Sequence, residues 1–268
     1  MKKRSWPLWL AAGLLYAFLY TPIAVVIVYS FNAARYGAGW AGFTWKWYQS
    51  LGHNPAVLAA ARNTVLLAVG STLIATVLGT LLGYGLSRYA FPGKRLFAWL
   101  MYIPVVIPDI VMGVALLMAY ALAREACGLF ELGLVTMTLA HVTFQVPFVA
   151  IVVRSRLAGM DPAIEEAAYD LGASPLATFR HVTFPLMLPG VVAGGMLAFT
   201  LSLDDFVVSF FTTGPGATTL PILIYSSVKR GITPDINALS TLMVLVSVLV
   251  TVGVALVQRP GRASAGPR

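Results

Sequence analysis

Charge is scarce in this chain. Lysine, arginine, aspartate and glutamate make up 10% of its 268 residues, where a soluble domain carries roughly 25%. Acidic residues are scarcest, 10 against 18 lysines and arginines. With 59% of residues apolar, there is too little polar surface to cover a water-soluble particle. A bilayer removes the difficulty, because surface that meets lipid can stay apolar. Cysteine occurs once, at Cys127. That excludes an intrachain disulfide and any zinc site of paired cysteines; Cys127 reads as small apolar filler near a helix end. The phosphate-cradling pattern G-x-x-x-x-G-K-[ST] is absent, so no ATP site is evident in the chain itself. No metal-ligand cluster or nucleophile–base pair stands in the apolar runs, which ranks a membrane enzyme last. The net charge of +8 does not point to nucleic acid, because the basic residues lie between apolar runs instead of forming one soluble patch.

What the chain has instead is apolar length. Six runs reach the roughly 20 residues that cross a hydrocarbon core: Leu8–Phe31, Asn63–Ser87, Leu96–Ala123, Gly133–Val153, Pro189–Thr213 and Asn237–Val257. They predict an all-α integral membrane protein with six transmembrane helices over residues 1–258, embedded in membrane lipid. Pro22, Gly79, Gly83, Pro104, Pro108 and Pro147 fall inside the runs, where neighbouring helices can re-satisfy a freed backbone. The first run follows Lys2, Lys3 and Arg4, as a secretory signal would. It is longer than a signal core of roughly 7–15 residues, and is expected to be retained. With the amino terminus inside, the inner segments carry twice as many lysines and arginines as the outer ones. That bias places both termini in the cytoplasm. The first outer loop, with Trp40, Phe43, Trp45, Trp47 and Tyr48, predicts a short interfacial helix. The inner loop Arg88–Arg95 is a tight turn at Phe91-Pro92-Gly93. Residues 259–268, basic and rich in Gly, Pro and Ser, are expected to form a disordered cytoplasmic tail.

The longest inner segment, about 154–188, is the most polar. Asp161 suits a helix N-cap and Pro162 the first helical position. Glu165 and Glu166 sit where the helix dipole favours negative charge. Ala167 and Ala168 keep one face thin, and Leu171-Gly172 can end the helix through a left-handed glycine. A second short helix is expected from Pro175 to His181, with Phe184-Pro185 leading back to the membrane. A compact helix-turn-helix with a small-residue face suits docking into a groove on a partner.

The segment resembles the coupling loop of ABC importer membrane subunits, whose pattern is EAA, three residues, G, nine residues, then I-x-L-P. Glu166-Ala167-Ala168 and Gly172 match it, and Val182-Thr183-Phe184-Pro185 follows with two apolar replacements. Three later stretches look like the spermidine and putrescine permeases of that family: Phe199–Asp205, Thr213–Pro221 and Pro234–Ala238. The resemblance implies a bacterial inner-membrane permease subunit for polyamines. It implies coupling through Glu165, Glu166, Ala167, Ala168, Asp170, Gly172 and Pro185. The implied partners are two ABC ATPase subunits that bind the ATP and magnesium, a second homologous permease, and an extracytoplasmic polyamine-binding protein; this chain itself is expected to hold no cofactor, metal or nucleic acid. Two rivals remain: an ABC permease for another organic cation or a metal chelate, and an ion-driven secondary transporter.

Three carboxylates fall inside the expected spans, Asp109, Asp204 and Asp205, and no lysine or arginine does. An aspartate at mid-membrane costs about 2.5–3.5 kcal/mol on insertion scales and usually faces a polar cavity or a partner. A cationic substrate would be such a partner, helped by cation–π attraction from nearby aromatics. A structural role stays open for each: Asp204 and Asp205 diverge by about 100° on a helix, one of them can cap a broken helix, and Asp109 can serve a proline kink. His141, in the fourth run, reads as a hydrogen-bonded core histidine.

Overall fold

The structure, a computed structural model, describes residues 6–34 and 39–257. Lys2, Lys3, Arg4 and Arg35 and the tail expected at 259–268 lie outside the described residues. In hydrocarbon a spanning segment must satisfy its own N–H and C=O groups, which favours helices. The described residues accordingly form twelve α-helices: α1 Trp6–Tyr29, α2 Lys46–Gly52, α3 Pro55–Arg88, α4 Lys94–Val106, α5 Asp109–Cys127, α6 Leu134–Ala158, α7 Ala163–Asp170, α8 Pro175–Thr178, α9 Phe184–Asp204, α10 Val207–Thr212, α11 Leu220–Arg230 and α12 Pro234–Val257. Six are long and apolar enough to cross a membrane: α1, α3, α5, α6, the α8–α9 unit and α12.

The six-helix expectation holds, but the limits of several spans need correction. The run Leu96–Ala123 is not one helix. It breaks at Ile107 (φ −68°, ψ 134°) and Pro108 (φ −57°, ψ 137°), leaving α4 and α5. Proline lacks an N–H and pushes the preceding residue out of helical geometry. The run Pro189–Thr213 breaks after Asp204, where Asp205 is extended at φ −63°, ψ 124°. The second span starts at Pro55 instead of Asn63, and the fourth runs to Ala158, carrying Arg154 and Arg156 inside the helix. Phe184-Pro185 is no exit from a loop either: α8, a π-turn at Phe179–Thr183 and α9 follow without a break. Proline fits there because the wider turn relaxes the backbone bond it cannot donate. Cys127 ends α5 as expected but is exposed, its thiol donating to the Ala123 carbonyl at 2.8 Å, so it fills no core.

The described residues form two compact units, those up to residue 59 with 222–248, and 60–221 with 249–257. In the first, Phe31 gathers the rings of Phe43, Trp45 and Tyr48 at 5.2, 4.8 and 5.1 Å between centroids. Asn32 pins the same loop, accepting from Ala34 N and Ala41 N and donating to Gly39 O. The short helix expected of this aromatic loop is α2. In the second unit α6 is central. Its Val149 is fully buried between α3 and α9. A Cβ added at Gly79 of α3 would stand 2.6 Å from Val149 Cβ, and one at Gly194 of α9 would stand 3.1 Å from Val149 Cγ1. Glycine lets the three backbones approach, the usual device where lipid supplies no hydrophobic drive between helices.

Candidate functional site

The segment that resembles a coupling loop is built as a small helix held from behind. Asp161 Oδ1 accepts from Ala163 N at 3.0 Å, and the first helical residue is Ala163, one later than expected. The helix ends as its sequence suggests. Gly172 takes the left-handed conformation at φ +81°. Ala173 N donates to Ala168 O and Gly172 N to Tyr169 O, at 3.0 and 2.9 Å, which is the paired closure of a Schellman end. The two glutamates part company. Glu165 turns inward: its Oε1 accepts from Thr183 Oγ1 at 2.8 Å and lies 3.1 Å from Arg88 Nη2. That second contact is an ion pair without hydrogen-bond alignment. It ties α7 to the end of α3 and to the π-turn two residues before Pro185. Glu166, Ala167, Asp170, Gly172 and Pro185 are exposed, and Ala168 is half-buried. Leu171 and Leu176 stand 88% and 75% exposed beside them. α7 therefore offers an apolar, small-residue face ringed by acids, tethered through Glu165.

The three membrane carboxylates all stand at helix breaks. Asp109 opens α5, where the helix dipole favours an anion. It is exposed, with no pairing group among the described residues. Asp205 is engaged. Its Oδ1 accepts from Val208 N at 3.3 Å and its Oδ2 from Ser209 N at 2.7 Å, capping α10. His141 Nε2 lies 3.3 Å from the same Oδ2. So the absence of lysine and arginine does not leave Asp205 isolated; a histidine and a helix N-terminus meet it. Asp204 is the opposite case. It is exposed at the last turn of α9, where backbone carbonyls add partial negative charge. No other residue pairs with it among those described.

His141 belongs to a buried polar chain. Its Nδ1 shares a hydrogen bond with Ser202 Oγ at 2.7 Å and its Nε2 with Ser209 Oγ at 2.9 Å. Ser202 meets Ser71 at 3.2 Å, and Gln145 Nε2 donates to Ser71 Oγ and to Ala198 O, both at 3.1 Å. This chain links α3, α6, α9 and α10 through the core. Sequence reasoning missed Ser71 and Gln145, and it missed Asn63 and Thr64. Asn63 Nδ2 donates to Gly216 O and Thr218 O, and Thr64 Oγ1 accepts from Leu220 N. They moor the loop Thr213–Pro221 to the start of α3. A signal was there: Thr64 and Ser71 are seven apart, and His141 and Gln145 four apart, so each pair shares one helical face inside an apolar run.

Helices apolar enough to span a membrane, a short polar helix tethered after one span and carboxylates at broken spans together fit a multi-pass membrane transport subunit. Residues 75–259 match the binding-protein-dependent transport system inner membrane component, and the chain belongs to that family. It is 43% identical over 245 residues to the spermidine/putrescine transport system permease protein PotC of Escherichia coli K12, covering 91% of both chains. It is 43% identical over 230 residues to the putrescine transport system permease protein PotI of the same organism, covering 85% of this chain and 82% of that one. The fold matches a chain of a bacterial ABC transporter involved in the import of the polysaccharide alginate, with a TM-score of 0.76 at 16% identity over 98% of this chain and 97% of the other.

Proposed function

We propose that this chain is the membrane permease subunit of an ATP-driven polyamine importer, carrying putrescine, spermidine or both. The likeness to PotC and PotI supports the cargo class. One observation carries the site: at the second break Asp205 is committed to α10 and His141, while Asp204 stays exposed at the negative end of α9 with no cationic partner among the described residues. A carboxylate placed there stabilises a passing ammonium group, and Asp109 at the other break supplies a second station for a flexible polycation. α7 docks on an ATPase subunit with Glu166, Ala167, Asp170 and Gly172 forward, held by Glu165 behind. Two such ATPases bind ATP and magnesium on the cytoplasmic side, a second permease completes the path, and an extracytoplasmic binding protein delivers the cargo. ATP-driven closure of the ATPases moves α7, and the spans alternate the access of the cavity.

The test is uptake of labelled putrescine and spermidine, normalised to assembled complex. Asparagine keeps the size and hydrogen bonding of aspartate but removes its charge. Asp204→Asn is expected to slow uptake with assembly intact, and to slow the more highly charged spermidine more. Asp205→Asn is expected to lower the amount of complex and to affect both cargoes equally. Full uptake of both polyamines by Asp204→Asn would sink the assignment of that residue.

A further inference from the structure

Away from the carboxylates, the ends of the spans α3 and α6 and the start of α4 line an open cavity of about 580 Å³ whose charged lining is entirely basic. Arg88 closes α3, Lys94 opens α4, and Arg154 lies in the last turns of α6; Ser87, Ser155 and Tyr102 add hydroxyl groups. The cations are poorly neutralised by the chain. Arg154 has no ion pair or side-chain hydrogen bond among the described residues, and Lys94 Nζ reaches one backbone carbonyl, Tyr89 O at 2.9 Å. Arg88 has Glu165 on one side, yet its buried Nε finds no hydrogen-bond partner among the described residues. Three cations with a single carboxylate beside them leave a surplus of positive charge, so the cavity favours an anion.

The rest of the lining says which anion. Ile151 and Ala158 line the same cavity, with the buried Leu86 and Leu157 behind them, so part of its wall is apolar. It lies at helix ends, where hydrocarbon gives way to headgroups, and the adjoining α4 exposes Leu96, Phe97 and Trp99. Basic pockets between spans on the cytoplasmic side are where acidic headgroups are held. We propose that this cavity binds the phosphate headgroup of an anionic phospholipid, with Lys94 and Arg154 as its principal charges and the glycerol against the apolar wall. Arg88 is shared between this cavity and Glu165, so an occupied headgroup draws on the guanidinium that mounts α7. Lipid binding and coupling are linked through one side chain. The proposal rests on the functional reading above for the cytoplasmic leaflet and for the link to coupling, and not for the binding itself.

The assembled complex in detergent tests it without ATP or cargo, so its outcome is independent of the uptake result. Native mass spectrometry reads phospholipid retained during titration with phosphatidylglycerol or phosphatidylcholine. The unmodified complex is expected to retain phosphatidylglycerol about tenfold better, a difference of about 1.4 kcal/mol. Lys94→Gln with Arg154→Gln should abolish that preference. The charge-preserving pair Lys94→Arg with Arg154→Lys should keep it, and so should Arg124→Gln, a change outside the cavity. Equal retention of the two lipids by the unmodified complex overturns the proposal, as does an undiminished preference in the double glutamine variant. Displacement of phosphatidylglycerol by millimolar orthophosphate also overturns it, since the site would then belong to free phosphate. Should the glutamine pair not assemble, the lipid preference of the unmodified complex and of the charge-preserving pair still decides the matter.

Discussion

Glu165 and Glu166 are covalent neighbours, yet on α7 their side chains leave the axis about 100° apart. One meets Arg88 and Thr183, and the other meets solvent. Glu165→Gln keeps an oxygen for the Thr183 hydroxyl and loses only the ion pair, which is 16–19% exposed at its two ends. A loss of about 1 kcal/mol is expected, and Glu165→Ala should cost more because the hydroxyl is orphaned too. Hydrogen exchange over residues 163–172 should rise in the order wild type, Gln, Ala, and cargo-stimulated ATPase activity should fall in the same order. Unchanged exchange in Glu165→Ala would show that the tether holds nothing. Asp204 and Asp205 teach the same lesson. Sequence marks both as carboxylates in an apolar run and offers capping as an alternative, but it cannot choose between them. The choice is made by where the backbone turns after the break, which puts the amides of Val208 and Ser209 in reach of Asp205 alone. His141→Phe keeps a ring and removes every bond to Ser202, Ser209 and Asp205. Each orphaned group costs about 1–3 kcal/mol, so the amount of assembled complex should fall, with equal effect on both polyamines in what remains. A normal yield of complex would deny the network its structural role.

At the scale of elements, legibility followed the kind of signal. α7 was readable from end to end because its instructions are local: an acid-rich first turn, two alanines and a glycine that takes φ +81°. The break between α4 and α5 was half readable. Pro104 and Pro108 are visible, but membrane helices tolerate proline, and Pro104 does remain inside α4. The break after α9 has no proline to announce it; it is made by Asp205 capping α10, a contact that needs the fold. The approach of Gly79 and Gly194 to Val149 was likewise invisible, since nothing in a glycine says which helix it will face. α7 gives the sharpest test of an element. Gly172→Val places a β-branched side chain at a positive φ, where the strain exceeds about 1 kcal/mol. A Cβ there meets no atom within 4 Å, so any effect is conformational and not a clash. The spans should assemble normally while cargo no longer stimulates ATP hydrolysis. Normal stimulation in an intact complex would remove the coupling role of this helix end.

For the whole molecule, composition alone separated membrane from water, because 10% charged residues cannot cover 268 residues in solvent. Orientation is a subtler property. It rests on the two-to-one excess of lysine and arginine in alternate loops, a bias that acts during insertion and leaves no bond in the folded chain. The fold adds a constraint of its own. With six crossings, the Thr213–Pro221 loop and α7 are separated by a single crossing, the helix Pro175–Asp204, and must lie on opposite sides. Reporter fusions after Gly214 are therefore expected to be active outside, and fusions near Pro175 active in the cytoplasm. A phosphatase that works only outside and a fluorescent protein that folds only inside give reciprocal signals at the two positions. The reverse pattern would place α7 beyond the reach of any cytoplasmic ATPase and overturn the docking reading with it. Matching signals at the two positions would mean that the α8–α9 unit does not cross the membrane.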